Sequence, residues 1–353
     1  MKLRNSNFEL LRLISMLLIV AHHYSIHGNW NMDDSINLNR LFIQFLSIGG
    51  KLGVNLFVMI TGYFMIKSNI KLNSLIKLVT QTWFYSVLFF FINQYFQIVP
   101  VDGLIILKSF LPIIFNSYWF ITSFVVLFLL IPYLNILINN LNQRQHLILL
   151  MSLIVLNVLI PINLGFGSVD WFIFLYVLGS YISLYPKLFS NARQWYLTIF
   201  ILTYLGVFGT IVILDYLKVI SPLYFISENS PFILICSISL FSYFKNLIIG
   251  NNRIINTMAS SVFGVYLIHD NIFARTILWE RIFKNSEYLN SNYLMLHAVV
   301  AILLTFTTSL ALDLIRNKLV TVLNIQKFNQ AIINLVQGIF YKLSTNYNSK
   351  YLD

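Results

Sequence analysis

Apolar runs recur along the chain, most of them near the ~20 residues needed to cross a bilayer, with short polar connections between them. They fall at 8–27, 52–66, 78–98, 117–138, 145–163, 169–186, 194–217, 230–248, 256–275 and 292–314. This pattern predicts an all-α, polytopic integral membrane protein of about ten transmembrane helices. The second run is short, and 37–50 before it is expected to form an interfacial or re-entrant helix. The longest loops on the outer side are expected at 28–40, 99–116 and 276–291. No internal repeat, low-complexity linker or glycine-rich phosphate loop breaks the series. After the last run, 315–345 alternates apolar and polar positions, with Leu319, Leu323, Phe328, Ile332, Leu335 and Ile339 among the apolar ones. That spacing suits a helix lying on the inner membrane surface. The chain therefore divides into a transmembrane domain, 1–315, and a cytoplasmic amphipathic tail, 316–353.

Composition sharpens the class. Hydrophobic residues make up 58% of the 353 and charged residues only 10%. Soluble domains carry roughly 25% charged residues, so this chain cannot cover a water-facing surface and must be solvated by lipid. The net charge of +11 is an orientation signal rather than a nucleic-acid signal. With the amino terminus inside, fifteen of the 23 basic residues fall in cytoplasmic segments, and eight of the twelve acids lie in the opposite loops. Basic asymmetry of this kind places both termini in the cytoplasm. The first run is expected to be retained, because Glu9 and Arg12 interrupt its approach and Ala21-His22-His23-Tyr24 lacks a small-x-small cleavage site. The single cysteine, Cys236, lies within an apolar run. Intrachain disulfides and cysteine metal clusters are excluded by counting, and no metal site is expected.

Ionisable groups within spans cost about 2.5–3.5 kcal/mol each on insertion scales, so they point to chemistry. The first span carries Glu9, Arg12, His22 and His23. Arg12 and His23 are eleven residues apart, about three helical turns, and so project to nearly the same side roughly 16 Å apart. Glu9 can pair with Arg12 at i,i+3. His22 is turned about 100° away and need not share the environment of His23. Neutral imidazole can accept a proton from an attacking hydroxyl near neutral pH. Equally, Arg12 could snorkel to headgroups while His23 bonds a neighbouring helix. His269, Asp270 and Arg275 form a second concentration, either lining a polar cavity or closing an ion pair at the interface. His297 is expected to be a packing histidine, and His27 and His146, in or near loops, carry no signal.

Several segments in order resemble the acyltransferase 3 family of membrane-bound O-acyltransferases. The arginine, ten intervening residues and histidine of its first span match Arg12 and His23 within FELLRLISMLLIVAHHY. GVNLFVMITGYFM at 53–65 matches its glycine-flanked aromatic stretch. YWFITSFVVLFLLIPYLN at 118–135, DWFIFLYVLGSYI at 170–182 and FGVYLIHDN at 263–271 look like its middle and penultimate spans. The resemblance covers roughly 5–315. Where many members carry an arginine pair before the third span, this chain has Lys71 and Lys77 with Ser74 between them.

The resemblance implies transfer of an acyl group, usually acetyl, from cytoplasmic acyl-coenzyme A to a sugar hydroxyl. The acceptor would belong to a cell-envelope polysaccharide or its lipid-linked precursor, in the plasma membrane of a bacterial cell. On this reading His23 is the base, with Arg12 and Glu9 completing the catalytic set. Arg12, Lys71 and Lys77 hold the phosphates of acyl-coenzyme A. Trp119, His269, Asp270 and Arg275 meet the glycan on the outer side. The partners are then the bilayer, acyl-coenzyme A and the acceptor, with no nucleic acid. A transporter or flippase of lipid-linked glycans would also need charges within the membrane. It would favour inverted repeats and paired broken helices, and neither is evident in the sequence.

Overall fold

A computed structural model describes residues 6–32, 35–68, 72–159, 168–190, 192–218, 220–227 and 229–322. The regular elements among them are helices. In chain order they are α1 (Ser6–Ile26), α2 (Leu38–Ser47), α3 (Gly49–Met65), α4 (Leu72–Phe96), α5 (Gly103–Phe110), α6 (Trp119–Asn139) and α7 (Gln143–Ile154). There follow α8 (Val169–Leu184), α9 (Arg193–Leu217), α10 (Pro231–Lys245), α11 (Arg253–Ala259), α12 (Val262–His269), α13 (Ile272–Arg275) and α14 (Leu294–Val322).

Seven described helices are long and apolar enough to cross a membrane. Two of the remaining expected spans are shorter apolar helices, Gln143–Val158 and Val169–Leu184. The span expected at 256–275 is broken into α11, α12 and α13. The segment 37–50 holds a helix of its own, α2. Ile48, between α2 and α3, keeps a helical backbone, and the two helices together make one apolar stretch, Leu38–Met65. The expected loop at 99–116 contains α5, capped by Asp102, whose side chain accepts from the Ile105 amide. The expected domain limit at 315 falls inside α14, which continues to Val322. The rest of the amphipathic tail lies outside the described residues.

The centre of the bundle is α3, packed on α1, α8 and α10. Glycines make this possible. A side chain on Gly62 would meet the Tyr176 carbonyl, and one on Gly179 the Met59 carbonyl, so α3 and α8 touch backbone to backbone. Such close approach is how apolar helices gain packing where lipid competes for the same surface. Asn55, fully buried, accepts from the Trp171 indole at 2.9 Å and donates to Ser237 Oγ at 3.3 Å. One residue of the 53–65 segment thus joins α3 to α8 and α10. The outer shell is apolar too: Leu202, Leu205 and Ile213 of α9 are exposed, as lipid-facing positions must be.

Two buried carboxylates tie further helices together. Asp215 of α9 accepts from Arg40 Nε at 2.8 Å and from Gln44 at 3.0 Å, both on α2. Asp313 of α14 is fully buried. It accepts from Gln81 and Tyr85 of α4, each at 2.9 Å, and from Arg316 and Asn317 at 2.7 and 2.9 Å. Gly264 of α12 lies directly against that carboxylate, so α12 is seated on the junction of α4 and α14.

Candidate active site

The site is built along α1. Glu9, Arg12, Met16, Ile19, His22, His23, Ile26 and His27 line one cavity of about 650 Å³. Glu9 and His27 are eighteen residues apart, about 27 Å along a helix, close to the ~30 Å hydrocarbon thickness of a bilayer. The far wall comes from α3, α6 and α12, with Val54, Phe57, Phe120, Phe124 and Phe263 at its apolar middle. Lys51, Trp119, Tyr266 and Arg275 line it as well.

Glu9 and Arg12 form the pair expected from their spacing, Nη1 to Oε1 at 2.8 Å. Arg12 and His23 do share one face and one cavity. His23 meets the second concentration directly, since its Nδ1 lies 2.8 Å from His269 Nε2 and 3.4 Å from Asp270 Oδ1.

Hydrogen-bond logic then sets the tautomers. His269 Nδ1 is 2.6 Å from the Val265 carbonyl. A carbonyl only accepts, so His269 Nδ1 carries the proton and its Nε2 is an acceptor. His23 must therefore donate from Nδ1, which leaves the lone pair on His23 Nε2. Arg275 donates to Asp270 Oδ1 from Nε at 3.0 Å and from Nη2 at 2.7 Å. The carboxylate is thus held as an anion beside His23. Asn271 caps α13 through the Phe273 amide and donates to Tyr118 Oη at 2.8 Å, fixing the break between α12 and α13.

Other predicted residues fall as follows. Trp119 and Arg275 line the cavity, while His269 and Asp270 are buried behind His23 rather than on the wall. Lys77 is exposed on α4 and is not on the wall, although its neighbour Leu78 is. Lys71 lies outside the described residues. His297 accepts from Tyr24 Oη at 3.0 Å and donates to the Phe283 carbonyl at 2.8 Å, as a packing histidine should.

His22 and three cavity residues that the sequence did not single out, His27, Lys51 and Tyr266, complete the wall. His22 shares the cavity of His23 despite its different bearing on α1. Its Nδ1 donates to the Ser47 carbonyl at 2.7 Å, and α3 presses Gly50 against its ring. His27 had been placed in a loop, yet α1 reaches Ile26 and brings it one turn above His23, ring centroids 5.2 Å apart. The i,i+4 spacing was the available signal. Lys51 holds its ammonium 4.4 Å from the Trp119 ring centroid. Tyr266 carried no signal beyond its place in the FGVYLIHDN segment.

His23, His27 and Asp270 bring one potential metal-ligand atom each within 4.8 Å of one another. Two of the three are already committed to other partners. Asp270 Oδ1 takes both Arg275 bonds, and His23 Nδ1 carries the proton shared with His269.

A multi-pass helical protein with a buried histidine on the wall of a cavity that runs along its first helix defines the class, a polytopic membrane protein. Residues 5–314 match the sequence model of the acyltransferase 3 family, described as an acyltransferase domain, and the chain belongs to that family. It is a membrane acyltransferase. Comparison with curated proteins and with solved structures gave no match.

Proposed function

We propose that the protein moves an acyl group, in the simplest case acetyl, from acyl-coenzyme A to a sugar hydroxyl of an envelope polysaccharide or its lipid-linked precursor. The donor comes in at the Glu9–Arg12 end, taken as cytoplasmic from the basic asymmetry, and the acceptor meets it at the His27–Arg275 end. The observation that carries this reading is the single cavity that joins those two ends past His23.

Arg12 offers a guanidinium to the donor phosphates, and Lys77 and Lys71 are further cations that could join it. The pantetheine arm lies along the apolar middle, where Phe57, Phe120 and Phe124 exclude water. His23 Nε2 takes the proton of the acceptor hydroxyl as its oxygen attacks the thioester carbonyl. The new C–O bond forms, the C–S bond breaks, and the proton passes from His23 to the departing sulfur. The products are the sugar ester and coenzyme A thiol. Asp270, held by Arg275, stabilises the transient imidazolium. Transfer is direct, with the two substrates meeting in one cavity.

Sealed membrane vesicles of both orientations, supplied with radiolabelled acetyl-coenzyme A, test this. Label should pass into envelope glycan only when the Glu9 end faces the added donor. A transporter would move glycan with no consumption of the thioester, and that result would remove the proposal.

A further inference from the structure

The acyl group needs a place of its own in the cavity, and the walls near His23 set how large that place is. On one side α1 and α3 are in contact. A side chain on Gly53 would meet the Ser15 carbonyl and the Ile19 side chain, and one on Gly50 would meet the His22 ring. No room opens between those two helices. On the other side stands Phe120, half-buried in the first turn of α6 and part of the cavity wall.

The depth of Phe120 follows from the helices around it. Ser6 of α1 bonds Asn256 of α11 at 2.9 Å, and His23 meets His269 of α12 at 2.8 Å, so α11 and α12 together run in the direction of α1. Tyr266 comes three residues before His269, about 4.5 Å nearer the Glu9 end. The Phe120 ring packs edge-on against that of Tyr266, centroids 5.8 Å apart. It therefore stands just on the donor side of the base, where the acyl end of a thioester lies when the acceptor oxygen is at His23 Nε2. The ring has nowhere to move. Phe57 contacts it at 6.5 Å, Phe124 stacks on it at 5.8 Å and Phe172 lies 5.5 Å away. Phe172 is fully buried and off the cavity wall, so the space behind Phe120 is filled. Interiors packed this way resist extra methylenes.

We propose that Phe120 sets the length of the acyl group that is transferred, admitting chains of two or three carbons and excluding those of six. This deepens the acyl-transfer reading and rests on it. The pantetheine arm and the phosphates are common to every acyl-coenzyme A, so donors can be told apart only at the acyl end. A braced aromatic wall does so by exclusion, and discrimination of that kind comes from a clash with the wrong ligand rather than a new contact with the right one.

The test uses the full-length protein in membranes, at matched abundance, supplied with radiolabelled acetyl- or hexanoyl-coenzyme A, with label read in the glycan. Wild type should prefer acetyl to hexanoyl on the order of a hundredfold or more in kcat/KM. Phe120→Ala opens the wall as far as Phe172 and should lower that preference by at least about tenfold. Phe120→Leu should lower it less, and it keeps the test decisive should the alanine variant fail to fold. The preference is an internal ratio, because a poorly folded fraction slows both donors alike. Equal use of the two donors by wild type, or an unchanged preference in both variants, would overturn the assignment while leaving acyl transfer intact. A folded Phe120→Leu protein inactive with both donors would overturn it too, since the ring would then serve the transfer itself. Absence of label from acetyl-coenzyme A in wild-type membranes would instead refute the reading beneath it, and the assignment with it.

Discussion

Replacing Asp270 with asparagine tests the charge behind the base. The side chain keeps its shape but loses the anion that lies 3.4 Å from His23 Nδ1. At an effective dielectric of about 20, an imidazolium and a carboxylate at that distance attract by about 5 kcal/mol. Arg275 sits closer still to the same oxygen, at 2.7 Å, and offsets part of that attraction. Taking half as the effective remainder leaves roughly 2–3 kcal/mol, which at 1.36 kcal/mol per decade is a loss in kcat of about 30- to 150-fold. The interaction is made only once His23 has taken the proton, so the loss should fall on kcat and leave the KM for acetyl-coenzyme A near its wild-type value. The assay is incorporation of labelled acetyl into glycan in membranes of matched protein abundance. The paired variant Asp270→Asn with Arg275→Gln controls for the guanidinium that the single change strands, and it should lose activity to a similar degree. A kcat within twofold of wild type for Asp270→Asn would refute the claim that this carboxylate supports the base.

Three other outcomes are expected. His23→Ala should lower transfer by about 10²–10⁴-fold, the usual range for a general base, whereas His22→Ala, whose ring is backed only by a carbonyl, should be milder; membrane acylation assays at matched abundance decide between them, and loss confined to the His22 variant would move the role one position back. Arg12→Ala should raise the KM for acetyl-coenzyme A more than it alters acceptor use, measured in detergent, and equal donor binding in both proteins would count against the phosphate role. Asp313→Ala strands the side chains of Gln81, Tyr85 and Arg316 around a lost buried anion and should cost about 3–5 kcal/mol of stability, read as a lowered unfolding midpoint in detergent, while an unchanged midpoint would show that this junction is not needed to seat α12.

Much of the architecture was present in the linear pattern. Apolar run lengths gave the helical membrane class, because in lipid a backbone must satisfy its own hydrogen bonds and so has few forms to adopt. The Arg12–His23 spacing placed both side chains on one wall, since helical periodicity is local and survives any packing. The Glu9–Arg12 pair was legible for the same reason. Element limits were less so. In segment 37–50 the polar residues have distant partners that local pattern does not show: Asn39 donates to the Leu289 and Ser291 carbonyls, and Arg40 and Gln44 engage Asp215 across helices. Those partners seat α2 against α9 and the 289–291 turn.

What the sequence determined by itself is therefore the class, the helix-local geometry and the residues expensive enough in lipid to need a use. Tertiary structure alone decided which of them meet. Nothing in the chain says that residues 23 and 269, separated by 246 positions, come to 2.8 Å, or that the Val265 carbonyl dictates through His269 which nitrogen of His23 is free. Nor does local order reveal that Gly264 rests on the Asp313 carboxylate. Helical periodicity is a property of neighbours in sequence. The tautomer of a base and the partner of a buried hydroxyl are set by whichever atoms packing brings into hydrogen-bond range.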